Sequence, residues 1–292
     1  MPGITTDAAD GLTSESATLN STFSADSITA QGFVWGSQAD LSDGASVSAD
    51  TTGGSTAIEY ALTGLTEDAT YYFSAYATNA SGTTYGDTLS FVAQLSPCGD
   101  LTSVSYQGYD YDIFAIGTLC WFEENLRNEN YNDGSAIPTG LDNATWSSTT
   151  DGAVAVYNDD EATYLADYGR LYNAYAVITG NLCPSDWHVP TDAEWTALKF
   201  LSGGTTAGNA LKSSPLDTPD WDGTNSSGFS GLAGGYRHYS GVFISVGTRG
   251  YFWSASTVGS LAWSRRLDDG SSEVVRGSDN LPGGLSVRCV RD

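Results

Sequence analysis

The sequence predicts two domains, an all-β sandwich followed by an α+β domain, and three observations carry that reading. Its 292 residues are too many for one small sandwich and suit two domains of ordinary size. No Lys or Arg occurs up to Leu126, the first being Arg127, whereas all four cysteines and seven of the eight tryptophans lie beyond residue 95. Runs with a period of two fill the first segment, and the second mixes such runs with helix signals. The boundary therefore separates residues 1–95 from 96–292, near Gln94-Leu95-Ser96-Pro97, where Pro97 stiffens a short connector.

Composition narrows the function before any motif does. Hydrophobic residues make up 40%, enough for real cores, while charged residues are only 16%. Those charges are lopsided, 35 acidic against 11 basic, for a net charge of −24. Such a surface repels phosphate backbones and anionic headgroups, because binding either requires Lys and Arg. Nucleic-acid and membrane-surface partners are disfavoured. No stretch approaches the ~20 apolar residues of a membrane span, so no membrane insertion is expected. The opening Met1-Pro2-Gly3-Ile4-Thr5-Thr6-Asp7 lacks the basic and apolar regions of a secretory leader. The expectation is a leader already removed, or export by another route such as lysis.

In the first segment, Ala17, Leu19, Ser21 and Phe23 alternate with polar neighbours, as do Tyr71, Phe73, Ala75 and Ala77. Further short strands are read at Ile28 to Trp35, Ile58 to Leu62 and Thr88 to Val92. Turn-formers part them at Ser42-Asp43-Gly44, Gly53-Gly54 and Ala80-Ser81-Gly82. About seven short strands in under 100 residues is a sandwich pattern. The run from Leu65 to Asn79, Leu-Thr-Glu-Asp-Ala-Thr-Tyr-Tyr-Phe-Ser-Ala-Tyr-Ala-Thr-Asn, resembles the E–F corner and F strand of a fibronectin type III domain. That resemblance covers residues 3 to 94. It implies that Tyr71 hydrogen-bonds back across the corner, that Leu65 packs beneath it, and that Trp35 takes a core position.

In the second segment, Cys120 to Asn128 reads as one short helix. A better-marked helix begins at Thr191-Asp192-Ala193-Glu194, a capping box after Pro190. It carries Trp195 and Leu198 on one face and stops at Gly203-Gly204. Gly- and aromatic-rich strands follow to the end, giving an α+β fold with much irregular structure.

Several separated stretches of this segment, in order, resemble the Fibrobacter succinogenes major paralogous domain family. They are Ile116 to Leu126 (Ile-Gly-Thr-Leu-Cys-Trp-Phe-Glu-Glu-Asn-Leu), Tyr168 to Val177, Leu182 to Trp195, Gly234-Gly235-Tyr236-Arg237, Gly250 to Ser254 and Ser286 to Asp292. The resemblance covers residues 98 to 292 and implies a C-type-lectin-like fold. It also fits a secreted protein, in which such domains often follow fibronectin-like modules.

Four cysteines without CxxC spacing, beside only two histidines, do not compose a zinc site. Disulfides are the favoured use, with four reduced buried thiols the bland alternative; spacing leaves three connectivities open. The family resemblance implies Cys98–Cys120, joining the first strand to the first helix, and Cys183–Cys289, joining the approach to the second helix to the last strand. His188 reads as a packed structural position and His238 as part of a surface turn. Neither has a visible nucleophile partner, and no GxSxG elbow occurs. A non-enzymatic protein is expected, with no cofactor. Asn158-Asp159-Asp160-Glu161, Asp220-Trp221-Asp222-Gly223 and Asp268-Asp269-Gly270 are the candidates for a structural calcium. Solvated loops are the default reading of all three, since they lack EF-hand spacing and the Glu-Pro-Asn and Trp-Asn-Asp motifs of calcium-dependent lectins are absent. No metal site is assigned.

The most suggestive constellation is aromatic. Tyr236, His238, Tyr239, Tyr251, Trp253 and Trp263 crowd the C-terminal third with Arg237, Arg249, Arg265, Arg266, Arg276, Arg288 and Arg291. Trp253 and Trp263 are expected in the core, and Arg288 in a structural role. The candidate ligand-binding residues are His238, Tyr239, Arg266, Arg276, Asp279 and Asn280, because rigid rings beside polar groups contribute area at low entropic cost. A basic and aromatic patch in an acidic chain would draw an acidic glycan or a carboxylate-bearing partner to the loops from Tyr236 to Asn280. The favoured function is an extracellular display or adhesion protein, a sandwich stalk presenting a lectin-like head to a glycan or a surface protein. The rival is a structural subunit of a virion, as decoration or fibre protein, or of a self-assembling surface filament, in which copies of the chain are the partners.

Overall fold

Two compact units, Met1–Ser96 and Pro97–Asp292, make up the computed structural model. It describes residues 2–24, 28–48, 57–94, 96–99 and 101–292. The turn read at Gly53-Gly54 and Leu95 of the connector lie outside the described residues.

The first unit is all-β. Its strands are β1 (Gly3–Asp10), β2 (Ser16–Ser24), β3 (Ala30–Gly36), β4 (Ala45–Ser48), β5 (Ala57–Thr63), β6 (Thr70–Asn79), β7 (Gly82–Tyr85) and β8 (Leu89–Val92). One sheet runs β1-β2-β5; the other runs β4-β3-β6-β7, with β8 also paired to β6. Period-two patterning decides the inner faces: Ala17, Leu19 and Ser21 of β2 are buried and their neighbours are not. Leu19, Ile58 and Leu62 from one sheet pack with Phe33, Phe73 and Ala75 from the other, a sandwich core.

The corner before β6 forms as its sequence implies. The Tyr71 hydroxyl accepts the Thr66 N–H at 3.0 Å, and Leu65 is buried in the same core. The Tyr71 ring lies 5.6 Å from Trp35 and 5.8 Å from Phe91, centroid to centroid. Trp35 is half-buried against the core rather than enclosed by it. Tyr71→Phe keeps the ring contacts and removes only the acceptor, so denaturant titration should show a loss of about 1 kcal/mol. An unchanged midpoint would mean that water serves the Thr66 amide equally well.

The second unit opens with β9 (Ser103–Tyr106), β10 (Tyr109–Ile116) and β11 (Leu119–Phe122), then α1 (Asn143–Ser148), β12 (Val154–Ala155) and α2 (Glu161–Tyr168). Next come β13 (Leu171–Asn173), α3 (Ala174–Ile178), α4 (Asp192–Leu201) and α5 (Ala207–Leu211). The remainder is β14 (Gly234–Arg237), β15 (Phe243–Val246), β16 (Arg249–Val258), β17 (Leu261–Asp268), β18 (Val274–Asn280), β19 (Gly284–Ser286) and β20 (Val290–Arg291). A four-stranded sheet runs β20-β11-β10-β9, and a larger mixed one runs β12-β13-β19-β14-β16-β17-β18 with β15 beside β14.

Two expectations are corrected here. Among the described residues, five α-helices stand where two were read, and the first of those two is not a helix. Residues 119–122 form β11, between β10 and β20, and the following segment is irregular. A helix there would need its own carbonyls, but those of Phe122 and Glu123 accept from the Arg288 guanidinium. The amides of Phe122 and Leu126 are likewise committed, to the carbonyls of Cys289 and Val287. Tertiary partners override local preference. The helix at 192–201 does form: Thr191 and Glu194 complete both halves of the capping box, Trp195 and Leu198 are buried, and Gly203 past its end has φ of 111°.

Disulfides join Cys98 to Cys120 and Cys183 to Cys289, with Cα separations of 4.9 and 5.8 Å. This is the connectivity implied by the family resemblance, but the elements differ: Cys98 lies in a turn ahead of β9, Cys120 in a strand rather than a helix, and Cys289 just before β20. His188 exchanges both backbone hydrogen bonds with Val290, and its Nε2 lies 2.9 Å from Glu194 Oε1.

Candidate functional site

The site grows from strand register. Antiparallel pairing sets Tyr251 of β16 opposite Arg266 of β17, and Arg266 opposite Val275 of β18. The next row on that face is Trp253, Ser264 and Gly277, and the one after it sets Ala262 opposite Asp279. Side chains alternate across a sheet, so these rows share one face. Tyr236 at the end of β14, the turn residues His238 and Tyr239, and the loop through Gly283 close that face into a cavity of about 330 Å³.

One wall is aromatic. The centroids of Tyr251 and Tyr236 are 4.5 Å apart, His238 stands edge-on to Tyr236 at 6.3 Å, and Tyr239 lies 3.9 Å from His238. Tyr239 is 46% exposed, so its ring remains available to a ligand. The Gly241 amide donates to the His238 carbonyl, and His238 Nδ1 lies 2.7 Å from Ser240 Oγ, which fixes the turn. Across from the rings, Asp279 accepts the Ser264 hydroxyl at 2.6 Å, with Asn280 exposed beside it. Gly277 keeps the floor open, since a Cβ there would sit 3.3 Å from Ser264 Oγ. Burial, reinforced by the neighbouring Tyr251 and Asp279, raises the Tyr236 phenol above its ordinary range, so it stays a neutral donor.

Five of the six sequence-chosen residues, His238, Tyr239, Arg266, Asp279 and Asn280, line this cavity, although Asn280 has the opposite parity from Asp279 in β18 and does not project from the same face. Arg276 does not. It has the opposite parity in β18, so it leaves the sheet on the other face, stacks on Trp263 at 3.4 Å and grips Asp192 at 2.8 Å. Trp263 is accordingly half-buried rather than in the core, whereas Trp253 is fully enclosed.

The basic patch read from the sequence is corrected as well. Arg237, Arg265 and Arg288 are buried. Arg249 and Arg266 share Asp268 at 3.1 and 2.9 Å, and Arg265 and Arg276 share Asp192. Burial pulls on the Arg266 guanidinium, but Asp268 more than offsets it and holds its pKa above the usual value. The cavity thus presents one paired cation and one carboxylate, with no net positive charge. Charge counting along the sequence cannot see such pairing.

The candidate calcium loops commit carboxylates to protein partners. Asp160 caps α2, Glu161 meets Arg170, Asp222 meets Lys212, and Asp268 holds the two arginines. A group that the sequence reading missed is His188, Glu194 and Asp292, whose ligand atoms lie within 4.8 Å of one another. Its signal was weak, because Asp292 is distant in sequence from His188 and Glu194, and Glu194 already serves the helix cap. All four cysteines are bonded, which leaves no thiol as a nucleophile.

No curated protein matches the chain. Among solved structures, a myokine structure is 15% identical, covering 32% of this chain and 96% of that one, with a TM-score of 0.27. The long form of the sensor domain of the anti-sigma factor RsgI4 from Pseudobacteroides cellulosolvens is 17% identical, covering 37% and 98%, with a TM-score of 0.27. Likenesses at this level carry nothing about the role of this chain. The family model of the Fibrobacter succinogenes major domain, by contrast, matches residues 114–291, more than half of the chain and all of the strands that build the cavity. The chain therefore belongs to the Fibrobacter succinogenes major domain family.

Proposed function

We propose that this protein is a non-enzymatic binding protein of the cell exterior, whose second unit is a C-type-lectin-like head that holds a glycan. The observation that carries the reading is the cavity beneath Tyr239: closely spaced, tilted rings on one side, and a carboxylate and a guanidinium on the other. Sugars offer apolar C–H faces for rings and paired hydroxyls for the Asp279 carboxylate and the Arg266 guanidinium, so this lining suits them. Because Arg266 is already held by Asp268 and Asp279 adds a negative charge, the preferred ligand is a neutral, hydroxyl-rich saccharide rather than the acidic one that the arginine count suggested. The two disulfides support an oxidising location. No helix among the described residues is long and apolar enough to cross a membrane. In this reading the sandwich acts as a spacer.

A glycan array probed with the full chain, followed by calorimetry on the best neutral saccharide, tests the proposal. Tyr239→Ala should weaken binding by about tenfold or more, as loss of an aromatic anchor does. Its melting temperature should hardly move, since Tyr239 is exposed. Arg276→Ala should leave affinity unchanged. Binding that survives both Tyr239→Ala and Asp279→Ala, or an array without any hit, would overturn the reading.

A further inference from the structure

A second cavity in the same unit, of about 460 Å³, lies among Tyr106, Tyr109, Tyr131, Asn130, Asn132 and Arg127. It shares no residue with the first. Its distinguishing group is Arg127. The other arginines of the chain have their guanidinium nitrogens engaged: Arg170 by Glu129 and Glu161, Arg237 by the Gly241 and Leu141 carbonyls, Arg249 and Arg266 by Asp268. Arg265 and Arg276 hold Asp192, Arg288 holds five acceptors, and Arg291 reaches the Pro97 carbonyl. Among the described residues, Arg127 alone directs no guanidinium hydrogen bond or ion pair to a protein acceptor, and its buried Nε is unpartnered.

Unpaired does not mean loose. The guanidinium carbon lies 5.9 Å from the Tyr109 ring centroid and 5.8 Å from that of Tyr111, and the Arg127 amide donates to the Tyr111 hydroxyl at 3.0 Å. Tyr111 is itself fully buried and stacked on Phe122. The planar fork is thus oriented by aromatic rings while its donors stay unspent, the arrangement that recognises a carboxylate. Glu129, on the wall of this cavity, is held by Arg170, and Glu124, which feels the charge of Arg127, makes no hydrogen bond or ion pair with it among the described residues, so the guanidinium donors stay open to a ligand. Tyr109 and Tyr131 offer half-buried ring surface to a ligand.

We infer that this cavity is a second ligand site, independent of the first, which takes a carboxylate-bearing sugar through Arg127. The carboxylate accepts from the guanidinium fork, and the sugar ring lies against the tyrosines.

The test uses the full chain and methyl glucuronide, with methyl glucoside and acetate as the neutral and ringless comparisons. Ligand-observed NMR should give saturable glucuronide binding that weakens with salt and is at least tenfold tighter than binding of either comparison. Arg127→Gln should abolish it, and Arg127→Lys, which keeps the charge but not the fork, should weaken it about tenfold. Tyr239→Ala at the first cavity should leave it intact, so failure of one site is distinguishable from failure of the other. No saturable glucuronide binding overturns the inference, as does glucoside or acetate binding equally well. Binding that survives Arg127→Gln also overturns it. Should Arg127→Gln fail to fold, the lysine variant decides: affinity equal to that of the unaltered protein would overturn the assignment.

Discussion

Arg288→Met is expected to cost about 3–5 kcal/mol of stability, the range seen when a buried, fully hydrogen-bonded charge is removed and its partners are left behind. Arg288 is completely buried, and its guanidinium is the polar hub of the second unit. Nε donates to Asn125 Oδ1 at 2.7 Å, Nη1 to the carbonyls of Phe122, Glu123 and Phe229, and Nη2 to that of Ser230 at 3.0 Å. The Phe229 ring lies 4.5 Å from the guanidinium carbon. Burial drives the pKa down to about 9, against the pull of Glu124 and Glu123, so the group remains charged at neutral pH. Methionine fills comparable volume, but it leaves four carbonyls and an amide oxygen without donors. Lysine supplies one nitrogen where three are used, and should rescue little. Urea titrations of the three proteins measure this, and a methionine variant within about 1 kcal/mol of the parent would show that water re-satisfies the site.

Removing Cys183–Cys289 by paired alanine substitution should be about as costly. The bridge closes a separation of 106 residues, and loop-closure entropy for a loop of that order is about 4.7 kcal/mol. Cys98–Cys120 spans only 22 residues and should contribute about 3 kcal/mol. The ranking is the sharper expectation: melting of the two double-alanine proteins should place the long-loop variant lower. The reverse order would mean that native contacts near Cys98 matter more than chain entropy.

What the sequence made legible, and what it hid, follows from how local each signal is. Alternation along β2, the Tyr71 corner and the capping box at Thr191 are written within ten residues, and each appears in the structure. The strand at 119–122 was obscured because its partners, β10 and the terminal β20, pair with it across the sheet. Composition drew attention to the C-terminal third, and five chosen residues do converge there, but Arg276 required knowing the parity of β18. The arginine patch dispersed for the same reason: Asp192 and Asp268, each of which engages two of its guanidiniums, are placed by tertiary contacts and not by neighbouring positions.

The bridges also decide where a pull on the chain would travel. Arg291 donates to the Pro97 carbonyl at 2.9 Å, and β20 pairs with β11, so the second unit begins and finishes at neighbouring points. Tension applied between Cys98 and Cys289 crosses the first pair of sulfurs to Cys120, follows the backbone to Cys183, and leaves through the second pair. Residues 184–288, which contain β14 through β18 and the cavity beneath Tyr239, hang outside that covalent route. Such a load passes through sulfurs and backbone outside β14 through β18, which it reaches only by way of sheet hydrogen bonds.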